Sequence, residues 1–321
     1  MEIWVYMQPL IVLTGPTAAG KTALSLRLAQ KIGGEIISAD SMQVYRKMDI
    51  GTAKITTAEM KGIKHHMLDI LDPADEFNVV IFQKMAKECI CEISARGRIP
   101  IIVGGTGFYI QALLYDINFE LENNGSSSNY RKELNETAIL NGPEYLHDLL
   151  KKVDEEAANA IHPNNKKRLI RALEYYHQNK KPISLHNETE KKRQSPYNFA
   201  YFVLNDDREK IYENINQRVD KMLKDGLIDE VMTLKNNGFT PAMVSMQGLG
   251  YKEIFAYLDG KISFEEATTL LKRDTRRFAK RQLTWFRRER DVVWLDKGDF
   301  AGEEAMVEEM VRVIKDKRII R

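Results

Sequence analysis

Cysteine is nearly missing from this chain: two in 321 residues, Cys89 and Cys91. A single C-x-C without partner ligands makes neither a disulfide framework nor a zinc site, so buried free thiols in a reducing cytosol are expected. No apolar run approaches the roughly 18 residues that a membrane-spanning helix needs. The start, MEIWVYMQ, lacks the basic region and long apolar core of a signal peptide and reads as a short strand or a tail. A cytoplasmic protein without a membrane partner is therefore expected. Bulk charge is also missing: the net value is +2, so any nucleic-acid contact must come from local basic faces. Hydrophobic content of 43% with 29% charge is ordinary for a soluble globular protein. The length suits one large domain with an insertion, or two domains. No feature demands a dimer, and a monomer is expected.

What is present begins at Leu10. Four apolar residues, Leu10 to Leu13, run into Thr14 and a loop from Gly15 to Thr22 that matches G-x-x-x-x-G-K-S/T, the pattern of ATP-binding loops. The apolar run predicts a buried parallel strand. Gly15 and Gly20 let successive N–H groups turn inward on one anion. The helix expected from Lys21 to Lys31 offers its N-terminal N–H groups and dipole to the same anion. Lys21 adds a point charge, and the Thr22 hydroxyl suits Mg²⁺. The loop predicts a bound phosphate or diphosphate without naming its carrier.

Glu35 to Asp40 reads as a second parallel strand ending in an acid, beside the phosphate loop if the two strands are neighbours. Asp40 then serves as a base or a metal ligand, or else as a cap or turn residue. Gly51–Lys54 and His65-His66 fall in a loop region, the histidines being structural. A helix is expected from Phe77 to Arg96 with Asn78 as its cap, and a third buried strand from Ile99 to Val103. That strand runs into Gly104-Gly105-Thr106-Gly107 and not into the acid that Walker-type ATPases place there. Phe108 to Asp116 begins another helix.

From about Ile117 the character changes. Residues 122–129 read as a flexible loop, and Tyr130 to Gln194 carries helical periodicity with no strand signal. Lys151-Lys152, Lys166-Lys167-Arg168, Arg171, Lys180-Lys181 and Lys191-Lys192-Arg193 recur within it, predicting an inserted helical domain with a basic face and a polyanionic partner. Phe199 to Leu204 resumes the sheet. Asp206 or Asp207 caps one long helix ending near Gly238 and carrying Arg208 and Arg218. Ser245 to Lys252 is a glycine-containing turn into a helix. Ser263 and Glu266 form a capping box. The helix they open carries two basic stripes, Lys272/Arg276/Lys280 and Arg273/Arg277/Arg281, whose i,i+4 repulsion an anionic partner would offset. Trp285 and Phe286 anchor it. A last strand, Val292 to Asp296, and a helix from Glu303 to about Lys317 close the chain.

In this order, GPTAAGKT, ISADSMQVYRKMDIGTAK, VGGTGFYIQALLYD, SMQGLGYKE and RFAKRQLTWFRR resemble the bacterial tRNA dimethylallyltransferases, over about residues 10–295. The resemblance implies an α/β fold: a P-loop kinase-like parallel sheet flanked by helices (8–116 and 199–317), with an all-helical insertion (117–198) that grips the tRNA anticodon stem-loop. It implies transfer of a dimethylallyl group from dimethylallyl diphosphate to N6 of the adenosine 3′-adjacent to the anticodon. Asp40, Thr106 and Arg218 are then catalytic. Gly15, Pro16, Thr17, Ala18, Ala19, Gly20, Lys21 and Thr22 hold the diphosphate, with Mg²⁺ on Thr22. Asp40, Ser41, Met42, Gln43, Thr106, Lys166, Lys167, Arg168, Arg171, Gln247, Lys280 and Arg281 meet tRNA. The motif at Ile161–Arg171 has Asn165 where the family usually has Asp. Three rivals share some of these features: a small-molecule kinase using ATP, an isopentenyltransferase of free adenine nucleotides, and a non-catalytic RNA-binding protein with a relic loop.

Overall fold

A computed structural model describes residues 7–119 and 127–320. Strand β1 (Gln8–Thr14) has Leu10 to Leu13 fully buried. A strand apolar on both faces belongs inside a parallel sheet covered by helices. The chain then alternates: α1 (Lys21–Ile32), β2 (Gly34–Ser38), β3 (His65–His66), α2 (Val79–Ala95), β4 (Ile99–Gly104) and α3 (Gly107–Leu114). An all-helical stretch follows: α4 (Ser127–Val153, kinked at Gly142), α5 (Glu155–Ala160), α6 (Lys166–Asn179) and α7 (Ile183–Lys191). The sheet resumes with β5 (Tyr197–Asn205), then α8 (Arg208–Lys224), α9 (Leu227–Asn236), α10 (Tyr251–Leu258), α11 (Phe264–Phe286), β6 (Val292–Asp296) and α12 (Glu303–Asp316).

The six strands lie in the order β3-β2-β4-β1-β5-β6, and every described pairing is parallel. Strands β1 and β2 are therefore not neighbours; β4 separates them, pairing Ile11 with Ile101 on one side and Ile36 with Ile101 on the other. The turn after β4 joins the segment after β2 to the loop after β1: a Cβ on Gly104 would stand 2.3 Å from the Ala39 carbonyl oxygen, and one on Gly105 3.7 Å from that of Gly15. One core joins Leu13, Leu24, Leu28, Phe202, Leu204 and Val307.

Contacts divide the chain into two compact units, Met1–Leu114 with Pro196–Arg321, and Tyr115–Ser195. The second has its own core of Leu134, Leu146, Leu150, Leu169 and Leu173, and the buried Glu174 carboxylate is held by Arg131 through Nε (2.8 Å) and Nη2 (2.7 Å).

Several expectations are corrected. The two thiols are not buried together: Cys89 is half-buried and Cys91 exposed. His65 and His66 form a short edge strand against β2, and His66 Nε2 lies 2.7 Å from Glu35 Oε2. Strand β2 stops at Ser38, two residues short of Asp40. The stretch after Asp206 is two helices: Gly226 sits at φ +103° and starts α9 anew. Asp207 occupies the N-cap position of α8 without a side-chain capping bond. At α11 the serine half of the capping box is made, Ser263 Oγ accepting from Glu266 N–H at 3.1 Å. Asn78 does cap α2, accepting from Val80 and Ile81. Residues 1–6 of the N-terminal stretch, and 122–126 of the expected loop, lie outside the described residues; Ser127 to Asn129 are helical.

Candidate active site

The phosphate loop leaves β1 through Gly15, at φ +147°, where a Cβ would stand 2.3 Å from the Leu204 carbonyl oxygen. Only glycine lets the loop turn that tightly over β5. Gly20 is the N-cap of α1. Lys21 folds back over the loop, its Nζ donating to the carbonyls of Gly15 (2.9 Å) and Pro16 (2.7 Å). Burial, reinforced by the positive charge of Arg218 and opposed by Asp40, lowers the Lys21 pKa to about 7. Burial also lowers that of Arg218, with Asp40 again opposing. One carboxylate and two cations thus act on each other at the mouth of the loop.

Asp40 follows β2 in a short turn, its Oδ1 accepting from the N–H groups of Met42 (2.9 Å) and Gln43 (3.4 Å). The turn after β4 closes onto it: Thr106 N–H donates to the Ala39 carbonyl at 3.3 Å. Thr14 Oγ1 donates to the Gly104 carbonyl (2.7 Å), tying the ends of β1 and β4 together. Helix α8 crosses the site, with Asn214 Nδ2 on the Ala18 carbonyl (3.4 Å) and Arg218 Nη2 on the Thr52 carbonyl (3.4 Å). Gln43 Nε2 meets that same Thr52 carbonyl (3.1 Å). Met42 packs on Gly248, its terminal methyl 2.5 Å from where a Cβ would stand. This brings the Ser245–Gln247 turn beside the 40–43 segment, with Gln247 exposed and donating to the Pro241 carbonyl. Ser41 is half-buried in the same turn.

Thr22 is exposed at the first turn of α1 and lines a cavity of about 40 Å³ with Ser25, Ser38, Gln43 and His65. Among the described residues no cluster of three His, Cys, Asp or Glu could hold a metal ion. One hydroxyl beside an anion cradle fits Mg²⁺, which keeps several waters and leans on phosphate oxygens for the rest of its shell.

Arg208 is not drawn in: it is exposed at the start of α8, over the Tyr212 ring (5.1 Å). On α11 the first basic stripe is partly neutralised from within the fold. Lys272 pairs with Asp220 (2.6 Å) and Arg276 bonds Asn216 (2.6 Å). Arg273 and Arg277 share Asp274. Two carboxylates, Asp220 and Asp274, thus face four cations, and the stripes keep a net positive charge. Lys280 and Arg281 are exposed.

One residue that the sequence did not mark is central. Gln282, almost fully buried on α11, accepts from Thr17 N–H (2.9 Å) and donates to the Gly105 carbonyl (2.9 Å). A Cβ on Gly105 would stand 2.2 Å from its Nε2. A glutamine within the otherwise small or apolar buried stripe Ala267, Leu271, Thr275, Ala279, Phe286 was the available signal.

In the helical unit, Asn165 caps α6, its Oδ1 accepting from Arg168 N–H at 3.4 Å. Lys166, Lys167 and Arg168 occupy the first turn, which carries no acid. Lys167 and Arg168 are exposed, and Lys166 Nζ reaches the Asn135 carbonyl (3.3 Å). Arg171 is half-buried, its pKa lowered by that burial.

A family model described as IPP transferase matches residues 43–289 of this chain. The chain belongs to the IPP transferase family. It is 60% identical over 315 residues to a curated tRNA dimethylallyltransferase of Lachnoclostridium phytofermentans, covering 98% of this chain and 100% of that relative. Among solved structures, the tRNA delta(2)-isopentenylpyrophosphate transferase of Staphylococcus epidermidis is 46% identical with a TM-score of 0.70, over 96% of this chain and 99% of that one. A eukaryotic dimethylallyltransferase acting on tRNA is 29% identical with a TM-score of 0.80, over 97% of this chain and 79% of that one. In this IPP transferase the phosphate loop and Asp40 precede the segment matched by the family model, while the alignment with the curated relative covers nearly the whole chain.

Proposed function

We propose that this chain transfers the dimethylallyl group of dimethylallyl diphosphate to N6 of the adenosine 3′-adjacent to the anticodon of tRNAs, releasing diphosphate. The observation that carries the chemistry is the electrostatic triangle of Lys21, Asp40 and Arg218 at the mouth of the phosphate loop. Two cations suit a diphosphate leaving group, and the carboxylate that acts on both suits a proton acceptor. The N6–C1 bond forms as the C1–oxygen bond breaks. The electron pair of that broken bond goes to diphosphate, and the N6 proton goes to Asp40.

The Thr17–Thr22 amides, Lys21 and Arg218 hold the diphosphate and stabilise the charge that builds on it. Thr22 is the residue that would hold Mg²⁺, which supplies further neutralisation when bound. Thr106, tied to the Asp40 segment through Ala39, aligns the acceptor base. The target base leaves its stack to reach such a cleft, and Gln43, with Ser41 and Met42 in the same turn, reads unpaired base edges. Gln247, Lys280 and Arg281 on the core, and Lys166, Lys167, Arg168 and Arg171 on the helical unit, contact the anticodon stem-loop, mainly its phosphates. Among the described residues no helix is long and apolar enough to cross a membrane; a cytoplasmic monomer suits the substrate. Against an ATP-dependent kinase stands the end of β4, where Gly104 to Gly107 replace an acid.

The test is to incubate the protein with unmodified tRNA and labelled dimethylallyl diphosphate. Label in the tRNA, at the adenosine next to the anticodon, is expected. Label in free adenine nucleotides only, or in none of these acceptors, would overturn the assignment.

A further inference from the structure

Glu230, on α9, has a carboxylate that accepts four hydrogen bonds. Its Oε2 receives the N–H groups of Asp49 (2.8 Å) and Ile50 (2.7 Å). Its Oε1 receives Gly51 N–H (3.1 Å) and the Tyr251 hydroxyl (2.7 Å). Three successive amides converging on one anion form a nest, and charge-assisted bonds of this kind are the stronger class. The Tyr251 ring is fully buried, and a Cβ on Gly51 would stand 2.6 Å from it. The loop is thus seated both by polar bonds and by shape.

The next residue is Thr52. Its hydroxyl is spent internally, on the Met48 carbonyl at 2.6 Å. Its own carbonyl is where Gln43 Nε2 (3.1 Å) and Arg218 Nη2 (3.4 Å) meet. One is the candidate base reader, from the turn after β2; the other is the candidate diphosphate cation, from α8. They share an acceptor that lies one residue past the nest. Lys54 braces the far side, its Nζ on the Tyr45 carbonyl (2.7 Å) and between Asp49 (2.7 Å) and Asp69 (2.5 Å).

We propose that Glu230 is a positioning residue for the transfer reaction: by gripping the Asp49–Gly51 amides it sets the Thr52 carbonyl, and through it aligns Gln43 and Arg218 together. The proposal rests on the function assigned above for the roles of those two side chains. Its physical content is that one carboxylate, remote from the reacting atoms, couples base reading to diphosphate holding. A small misplacement of aligned groups is costly in such a site.

The experiment uses the full chain and the variants Glu230→Gln, Arg218→Lys and the double. Glu230→Gln keeps the size but turns one acceptor into a donor facing N–H groups. Its kcat for transfer is expected to fall about tenfold, with a raised KM for tRNA and weaker binding of inorganic diphosphate by calorimetry, all read well below a melting temperature that the lost amide bonds lower. Added to Arg218→Lys, it should weaken diphosphate binding less than about twofold more, because that effect acts through Arg218. Wild-type transfer by Glu230→Gln, or losses of diphosphate affinity that multiply in full in the double variant, would overturn the proposal. If Glu230→Gln does not fold, Tyr251→Phe removes one of the four bonds and carries the same comparison at smaller size. A wild-type protein that places no label in tRNA sinks the functional assignment instead. In that case diphosphate binding still decides the positioning role, and an affinity unchanged by Glu230→Gln rejects it.

Discussion

Lys21 holds its charge against two penalties, burial and the neighbouring Arg218, and its pKa falls to about 7. A bound diphosphate favours the charged form and raises that value. At pH 8 the free lysine is mostly neutral and the bound one charged, so binding takes up a proton; below about pH 6 both are charged and the linkage vanishes. Calorimetry of diphosphate binding at pH 8, in two buffers of different ionisation heat, should show this uptake, and Lys21→Arg, charged throughout, should abolish it. Equal uptake in the two proteins would refute the linkage. Asp40 belongs to the same scale. Its Oδ1 is engaged by two N–H groups of its own turn, so the carboxylate is oriented before any base arrives. Asp40→Ala should leave tRNA binding intact and reduce transfer at least about a hundredfold; a gel-shift titration and a transfer assay on the same preparation separate the two.

At the scale of elements, α11 does two jobs on two faces. Its buried stripe delivers Gln282 to Thr17 and Gly105. Its exposed side carries Lys280 and Arg281, the two residues just before Gln282. Lys272 and Arg276 are occupied by α8, so the exposed positive charge is concentrated toward the helix's C-terminal half. Removing both charges with Lys280→Ala and Arg281→Ala should weaken tRNA binding and flatten the dependence of log K on log salt by about one to two. Binding measured across a salt series tests this, and an unchanged slope would remove α11 from the RNA interface. The helical periodicity of α11 was legible from its residues. Which of its two basic stripes meets α8 was not, because that depends on a helix some sixty residues earlier in the chain.

At the scale of the molecule, the helical unit has its own apolar core, so its surface charges are separable from the chemistry of the sheet unit. Lys167 and Arg168 stand exposed at the N-terminal turn of α6, where the helix dipole makes cations unfavourable. A polyanion offsets that cost. Lys167→Ala with Arg168→Ala should weaken tRNA binding severalfold while leaving the affinity for inorganic diphosphate unchanged. A loss of diphosphate affinity would contradict this division of labour.

The phosphate loop, the acid after β2, the glycine turn after β4 and the two basic regions were all legible because each is local. A strand, a turn and a helix start leave their chemistry in consecutive residues. The sequence by itself therefore determined the glycine-bounded loop between a strand and a helix start, the parallel sheet and the helical insertion. Tertiary structure alone decided that β4 lies between β1 and β2, that Gln282 ties the phosphate loop to the Gly105 turn, and that Glu230 holds the 49–51 amides from about 180 residues away. These are pairings between distant positions, set by which faces pack together, and hydrogen-bond partners so far apart leave no spacing in the chain to read.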